Sequence, residues 1–236
     1  MSVHPYLKHP GIAISAHRGG SIEAPENTLE SFEYALELGS EYIETDVQLS
    51  ADGIPFIFHD DDLLRLLGKD LLFNALHSEE IYQLRLFDSY KIPTLEAALK
   101  KFPNAFFQID VKTDEVAIPT MQVIKELGAF NRICIASFSS KRLKLVKEHY
   151  PETCLSMGPI EVLKLLLSSF GLYKKTIQGD CLQIPIYQYG VKLVTKRFVK
   201  FVQSLGLKIH VWTINDEETM QELINLGVNG IITDKP

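Results

Sequence analysis

The nine residues LGSEYIETD, positions 38–46, recur near the end of the chain as LGVNGIITD, positions 226–234. In both copies a glycine follows an amphipathic segment, and a short β-type run then ends in Thr-Asp. Glycine in that place is typical of the left-handed residue that ends a helix. Each copy therefore predicts a helix–turn–strand unit, and its recurrence favours a cyclic α/β barrel over an open sheet.

The segments before the two copies predict the helices themselves. Leu29, Phe32 and Leu36 have the spacing of one buried helix face. Asparagine favours the position that caps a helix N-terminus, so Asn27 is the predicted cap of the first helix and Asn215 that of the last.

Nine short β-type runs alternate with eight amphipathic runs along the chain, which is the pattern of a parallel α/β fold. The 236 residues fit one TIM-type (β/α)8 barrel, a fold that typically needs about 250, so we expect a single domain over residues 1–236. Nine runs are one too many for eight strands. Asp52-Gly53 is a tight-turn signal that predicts a hairpin between Tyr42–Val47 and Pro55–His59, an excursion near the active face. A two-residue turn places His59 opposite Asp46.

Composition excludes several classes of protein. With 24 basic and 30 acidic residues, the net charge of −6 argues against a nucleic-acid partner. The longest apolar stretch, residues 160–173, is too short to span a bilayer, so we expect no stable membrane insertion. No secretory signal precedes the first strand, and we expect a cytoplasmic protein. The sequence leaves the oligomeric state open.

The three cysteines, Cys134, Cys154 and Cys181, lie far apart in apolar surroundings and lack the spacing of a metal site. They are therefore interpreted as buried thiols in a reducing compartment.

Acidic side chains cluster where candidate strands end, and strand ends form the active face of a barrel. Glu44 and Asp46 are two residues apart and so point to one face of a strand, and Asp110 and Lys112 repeat that spacing. Three carboxylates that converge repel one another unless a cation lies between them. Ligation by oxygen alone suits Mg²⁺ or Ca²⁺. The alternative, surface carboxylates at strand ends, is less favoured because basic and histidine side chains are expected on the same face.

Those side chains are His17, Arg18, His59 and Lys112. The two histidines suit acid–base catalysis near neutral pH. The two cations, at the mouth of an acidic site, indicate an anionic substrate such as a phosphate ester. The other five histidines, His4 among them, are expected to be structural.

Taken together, these residues resemble the glycerophosphodiester phosphodiesterase family over residues 12–236. The motifs follow the family's order: HRG (17–19), PENTL (25–29), ExDV (44–47), DG (52–53), HD (59–60), PTLE (93–96), DxK (110–112), SF (137–138), WTxN (212–215) and GIITDxP (230–236).

The resemblance implies a TIM barrel that hydrolyses glycerophosphodiesters to glycerol 3-phosphate and an alcohol with the help of a divalent metal. The implied roles are metal ligation by Glu44, Asp46 and Asp110, acid–base catalysis by His17 and His59, and substrate binding by Arg18, Lys112 and Trp212. In the implied route a glycerol hydroxyl attacks phosphorus, one histidine takes its proton, the other protonates the leaving alcohol, and water opens the cyclic phosphate.

The chain departs from the family pattern at two places. Asp110 stands where the family has glutamate, so its carboxylate reaches about 1.5 Å less far. Leu66-Leu67 replace paired threonines. Two alternatives stay open at this point. The apolar run Leu163–Tyr173 followed by two lysines favours hydrolysis of lysophospholipids by a lysophospholipase D reaction. A non-catalytic phosphodiester-binding barrel is the other.

Overall fold

The structure, a computed structural model, describes residues 3–236. The strands are β1 Ala13–His17, β2 Tyr42–Leu49, β3 Pro55–Ile57, β4 Asp62–Leu63, β5 Lys69–Leu72, β6 Phe106–Val111, β7 Ile133–Ala136, β8 Cys154–Leu155, β9 Cys181–Pro185, β10 Tyr187–Gln188, β11 Val191–Lys192, β12 Lys208–Trp212 and β13 Gly230–Thr233. The α-helices are α1 Leu29–Glu37, α2 Leu64–Leu67, α3 Ser78–Gln83, α4 Leu95–Lys101, α5 Asp114–Glu126, α6 Ser140–His149, α7 Pro159–Ser169, α8 Lys196–Ser204 and α9 Glu217–Leu226. Three short 3-10 helices span Pro5–Leu7, Phe73–Ala75 and Phe130–Arg132.

Eight of the strands form one parallel sheet in the order β8-β7-β6-β2-β1-β13-β12-β9. A single parallel bridge between Ser156 and Cys181 joins its two edges, supported by a hydrogen bond from Met157 N to Cys181 O of 2.9 Å. The helices connect successive strands, and their apolar faces pack on the outside of the sheet. The predicted TIM-type barrel is confirmed.

Strand alternation divides the barrel interior into layers, because every second side chain points inward. At the amino ends of the strands lies an aromatic and thiol layer that includes Tyr42, Phe106 and Cys134. The 3-10 helix Pro5–Leu7 covers this end, and its Tyr6 is fully buried there. Two and four residues further along the strands, the inward positions become polar. The polar site therefore lies at the carboxyl ends of the strands.

The predicted hairpin exists, but its predicted register is wrong by one residue. β3 pairs antiparallel with β2 through Val47 and Ile57, and Asp46 O accepts from Phe58 N rather than facing His59. The turn has three residues instead of two, because Ser50 closes it: Ile54 N donates to Ser50 Oγ at 2.9 Å. Gly53, at φ 86°, adopts the left-handed conformation that ends such a turn.

The two predicted asparagine caps are also wrong by one residue. Thr28 caps α1, accepting from Ser31 N at 3.0 Å, and Asp216 caps α9, accepting from Thr219 N at 2.8 Å. The asparagines are free for other partners, described below. Within residues 3–236, no helix has both the length and the apolar character that crossing a bilayer requires.

Candidate active site

A cavity of about 600 Å³ opens at the carboxyl ends of the barrel strands. All eight residues predicted from the sequence line it: His17, Arg18, Glu44, Asp46, His59, Asp110, Lys112 and Trp212. They lie on or directly after strands β1, β2, β6 and β12, or in the segment after β3, so only the closed barrel brings them together.

The turn after β1 presents the first two of these residues. Arg18, at φ 51°, and Gly19, at φ 83°, both adopt the left-handed conformation. A Cβ at Gly19 would collide with the side chains of Ser31 and Phe32 on α1, so only glycine allows the turn to pack this closely. Arg18 N donates to Glu44 Oε2 at 3.2 Å, which ties the turn to β2.

Each candidate catalytic histidine is held by a carboxylate at its Nδ1 atom. His17 Nδ1 lies 2.6 Å from Asp234 Oδ1, and His59 Nδ1 lies 2.6 Å from Asp60 Oδ1. A carboxylate at Nδ1 fixes the tautomer with the proton on that nitrogen and leaves Nε2 able to accept a proton. Both rings line the cavity, so their geometry suits proton transfer there.

The charge around His17 favours its protonated form. Burial opposes the shift, but the nearby Glu44 carboxylate and the hydrogen bond to Asp234 outweigh it and raise the pKa of His17. Glu44 Oε2 lies 3.8 Å from His17 Nε2. The pKa of Asp234 itself falls well below its usual range, because its bonds to His17, Ser21 and Asn215 overcome the effect of burial. This carboxylate is therefore ionised at neutral pH.

Lys112 lies between two of the predicted carboxylate ligands. Its Nζ is 2.7 Å from Asp46 Oδ1 and 2.9 Å from Asp110 Oδ2. Burial works against its charge, but these two carboxylates raise the pKa of Lys112 above its ordinary value. The ammonium is thus charged and is held by both carboxylates at the cavity.

The surroundings shift the pKa values of the three carboxylates in different directions. Burial, followed by repulsion from Asp46, raises the pKa of Glu44 to about 7. Burial also acts on Asp46, but Lys112, His59 and Arg18 together lower its pKa. Burial raises the pKa of Asp110 in spite of Lys112. Glu44 is therefore the carboxylate whose negative charge is least compensated by its protein neighbours.

The side chains around Lys112 have the oxygen atoms that a divalent cation prefers, but the carboxylates lie too far apart to surround one ion closely. Glu44, Asp46 and Asp110 supply oxygen ligands, and the buried Asp110 Oδ1 has no hydrogen-bond partner within the described part of the chain. Among residues 3–236, however, these carboxylates do not converge as closely as the three cysteine thiols, whose sulfur atoms all lie within 4.8 Å of one another. Lys112 occupies part of the space between them.

Several residues that hold the site were not predicted as functional. Asp234 and Asp60 orient the two histidines. Asn27 Nδ2 donates to Asp46 Oδ2 at 3.1 Å, and Asn215 Nδ2 donates to Asp234 Oδ2 at 2.8 Å. The signal was present in the sequence, since each carboxylate stands within one of the motifs. Which histidine each one contacts depends on the closed barrel.

Glu26 organises a second group of charges beside the site. Its carboxylate accepts from Arg18 Nη1 at 3.1 Å and from both terminal nitrogens of Arg65 at 2.7 and 2.9 Å. Arg65 Nε in turn donates to Asp60 Oδ2 at 2.6 Å. This chain of ion pairs links Asp60, which holds His59, to Arg18.

The wall opposite the charged cluster is apolar. It is built by α7, by the β10–β11 hairpin and by Trp212, against whose ring Phe138 packs edge-on at 6.0 Å between centroids. Leu163, Tyr189 and Val191 line it while being largely exposed to solvent. The cavity thus offers charged partners on one side and apolar surface on the other.

Comparison with known proteins identifies a family for this chain. The model of the glycerophosphoryl diester phosphodiesterase family matches residues 17–236. The chain is 32% identical to a Mycobacterium tuberculosis protein named "Probable glycerophosphodiester phosphodiesterase 2", over 98% of this chain and 90% of that protein. It is 30% identical to a glycerophosphodiester phosphodiesterase of Caldanaerobacter subterraneus, over 94% of each.

A solved structure is similar in both fold and sequence. It is a phosphodiesterase from Oleispira antarctica in complex with the product sn-glycerol-3-phosphate. The TM-score is 0.82 and the identity 28%, with 98% of this chain and 96% of that chain covered. The resemblance found in the motifs is confirmed, and with it the prediction of an enzyme of the phosphodiesterase class. The chain belongs to the glycerophosphoryl diester phosphodiesterase family.

Proposed function

We propose that this chain hydrolyses glycerophosphodiesters to glycerol 3-phosphate and an alcohol, with His17 and His59 as acid and base. The observation that supports this most directly is the pair of histidines, each with a carboxylate at Nδ1, lining one cavity with Arg18 and Lys112. General acid–base catalysis needs two such groups within reach of one phosphorus centre.

The proposed reaction has two steps. A glycerol hydroxyl next to the phosphodiester forms a bond to phosphorus while one histidine takes its proton. The bond from phosphorus to the leaving alcohol breaks as the other histidine donates a proton to that oxygen. In the second step the two histidines exchange roles: one takes a proton from water as its oxygen forms a bond to phosphorus. The bond from phosphorus to the glycerol oxygen that attacked first then breaks, the other histidine protonates that oxygen, and glycerol 3-phosphate is released.

Arg18 and Lys112 are the groups proposed to bind the phosphate oxygens. Arg18 is held between Glu26 and Asp46, at 3.1 and 3.5 Å, so its guanidinium is oriented before substrate arrives. Lys112 shares its charge between two carboxylates. Trp212 stands at the boundary with the apolar wall, where it can pack against the substrate.

We also propose that Glu44 and Asp46 hold Mg²⁺ or Ca²⁺, with Asp110 as the third ligand. The raised pKa of Glu44 supports this, because a buried carboxylate beside another favours a cation nearby. Asp110 Oδ1 provides a buried oxygen that lacks a partner among the described residues. When bound, such an ion would stabilise the negative charge that develops on phosphorus.

The apolar wall of the cavity affects which leaving groups the enzyme would accept. Lysophospholipids would place an acyl chain against α7, whereas glycerophosphocholine and its relatives have none. The relatives reported above are named as phosphodiesterases, so lysophospholipase D activity is not the favoured alternative. A non-catalytic barrel is not favoured either, because none of the proposed catalytic or metal-binding side chains has been replaced by a group without acid, base or ligand chemistry. We further propose that residues 1–236 act as a single domain.

The test is a turnover assay with glycerophosphocholine, glycerophosphoethanolamine and lysophosphatidylcholine, with and without a chelator and then with Mg²⁺ or Ca²⁺ restored. We expect hydrolysis of the first two, loss of activity on chelation, and recovery with either ion. His17→Ala and His59→Ala should each reduce the rate about 10²–10⁴-fold. His149→Ala, at an exposed histidine that ends α6, is the matched control. A His59→Ala enzyme within a few-fold of wild type would contradict the assignment.

A further inference from the structure

At the end of the barrel opposite the active site, the three cysteines of the chain converge. Cys134, Cys154 and Cys181 come from the neighbouring strands β7, β8 and β9, and all three are buried. Cys134 pairs directly with Cys154 in the sheet, and Cys181 forms the bridge that joins β8 to β9. Their side chains therefore point into the same layer of the interior.

The spacing of the sulfur atoms matches a metal site. The three atoms lie within 4.8 Å of one another, and the Cys134 and Cys181 sulfurs are 3.7 Å apart. Zn²⁺ binds thiolates at about 2.3 Å, and two ligands of a tetrahedral ion at that distance are about 3.8 Å apart. The Cys134 and Cys181 sulfurs thus already have the spacing of two corners of such a site, and Cys154 Sγ lies within 4.8 Å of both.

A polar group of the amino-terminal segment, the hydroxyl of Tyr6, belongs to the same cluster. The Tyr6 hydroxyl is buried, and no atom within residues 3–236 forms a hydrogen bond with it. Tyr6 packs in one cluster with the three cysteines. An unpartnered hydroxyl in an otherwise apolar layer is costly, so it indicates that the layer is completed by something polar.

We propose that Cys134, Cys154 and Cys181 bind a divalent thiophilic metal ion, with Zn²⁺ the ion of choice, as a structural site that closes the amino-terminal end of the barrel. Binding forms three metal–sulfur bonds and releases the three thiol protons, with no change of oxidation state. The Tyr6 oxygen is available for the fourth position of the ion.

We assign His4, two residues before Tyr6, a supporting role beside the sulfur ligands rather than a place on the metal. Its Nδ1 accepts from Tyr6 N at 3.2 Å, so in the neutral ring the proton is on Nε2, which is then a donor. Three thiolates and one divalent ion leave a net charge of −1 in a buried place. A hydrogen bond from His4 to a metal-bound thiolate reduces the cost of that charge.

Such a site would join elements that are otherwise weakly connected. β8 has only two residues, and a single bridge links it to β9. The ion would tie β7, β8 and β9 to one another and to the segment that covers the barrel end. Its contribution is to stability, and it lies apart from the proposed phosphodiesterase site.

The test uses the full chain, reduced and freed of metal, and titrated with Co²⁺ as a spectroscopic probe for Zn²⁺. We expect sulfur-to-cobalt charge-transfer bands that saturate at one ion per chain and are displaced by Zn²⁺. Zn²⁺ should raise the midpoint of thermal unfolding. Cys154→Ser should abolish the bands and the rise in midpoint, while phosphodiesterase activity at low temperature is kept. His4→Ala should weaken binding by about 10–100-fold without abolishing it.

Asp46→Asn is the matched control, because it alters the candidate active-site metal position and should leave the sulfur bands intact. X-ray absorption of the wild-type protein with Zn²⁺ should give three sulfur neighbours, a measurement that does not depend on whether a variant folds. Cobalt spectra without sulfur bands, bands that persist in Cys154→Ser, or zinc bound only by nitrogen and oxygen would each overturn the proposal. So would thiols that form a Cys134–Cys181 disulfide in air and take up no metal when reduced.

Discussion

Two units of the barrel, α1–β2 and α9–β13, are built alike and end in different chemistry. Each begins with an asparagine before a capped helix, passes through a left-handed glycine, and leads to Thr-Asp. This pair lies within β2 in the first unit and at the end of β13 in the second. In each, the asparagine amide contacts both residues of that Thr-Asp pair. Asn27 bonds to Thr45 and Asp46, and Asn215 bonds to Thr233 and Asp234.

The difference lies in the strand beside each unit. Asp46 on β2 pairs in register with Asp110 on β6, so two carboxylates stand side by side and Lys112 lies between them. Asp234 follows Thr233, which pairs with Ala16 of β1, so its neighbour is His17. One carboxylate thus joins a group that favours cations, and the other orients an imidazole. A local motif places the carboxylate, and the neighbouring strand decides its role.

The paired changes Asp46→Asn and Asp234→Asn should have the largest effects and should separate the roles of the two carboxylates. Without its carboxylate partner, His17 loses its fixed tautomer, and we expect Asp234→Asn to reduce kcat by up to about 10⁴-fold. Its metal titration should coincide with that of the wild type. Asp46→Asn should instead shift the metal titration to higher concentration. If Asp234→Asn shifted the metal midpoint, the two carboxylates would share one role and the distinction would fail.

Asp110→Asn tests the carboxylate on β6 that pairs in register with Asp46. We expect metal affinity to fall by about 10–100-fold, and more if Asp110 binds the ion directly. Metal-free stability should change little, because the substitution also relieves repulsion from Asp46. The measurement is activity as a function of Mg²⁺ or Ca²⁺ concentration. Superimposable curves for wild type and variant would remove Asp110 from the site.

Substitutions of Asn27 and Asn215 should have smaller effects, and they can be compared directly because the two residues occupy equivalent places in the two units. Losing one hydrogen bond to a charged group costs about 1.5 kcal/mol, which corresponds to roughly tenfold. We expect Asn215→Ala to lower kcat through His17 without changing metal affinity. The matched change in the first unit is Asn27→Gly, since Asn27 has φ 58° and glycine keeps that conformation. It should lower metal affinity about tenfold. Equal effects of the two variants on metal affinity would contradict the division of roles.

The barrel and the eight site residues could be predicted from the sequence because they depend on local periodicity and on motifs at strand ends. The errors have two causes, a distant partner for the asparagines and a local side chain for the hairpin turn. Asn27 and Asn215 are good caps in isolation, but carboxylates and threonines 18 or more positions away engage their amides. The hairpin register shifted because Ser50 closes the turn. The convergence of the cysteines was equally hidden, since 20 and 27 positions separate them in sequence and only strand pairing brings them together.

We expect the smallest effects, on protein stability, from changes at the N-terminal caps of α1 and α9. Both residues cap a helix, but with different chemical groups. Thr28 caps with a neutral hydroxyl and Asp216 with a carboxylate. Hydrogen bonds from Thr219, its backbone N–H first, lower the pKa of Asp216. Because the folded-state pKa lies below the unfolded value, this cap stabilises the protein above the ordinary aspartate pKa. That stabilisation is lost as pH falls through the folded value.

Thr28→Ala should therefore lower the free energy of unfolding by about 1 kcal/mol at every pH. Asp216→Ala should destabilise the protein near neutral pH and converge with the wild type in acid. Urea unfolding of the three proteins from neutral pH down to pH 3 measures both trends. Parallel pH dependences for Asp216→Ala and wild type would mean that the carboxylate does not cap α9 in its charged form.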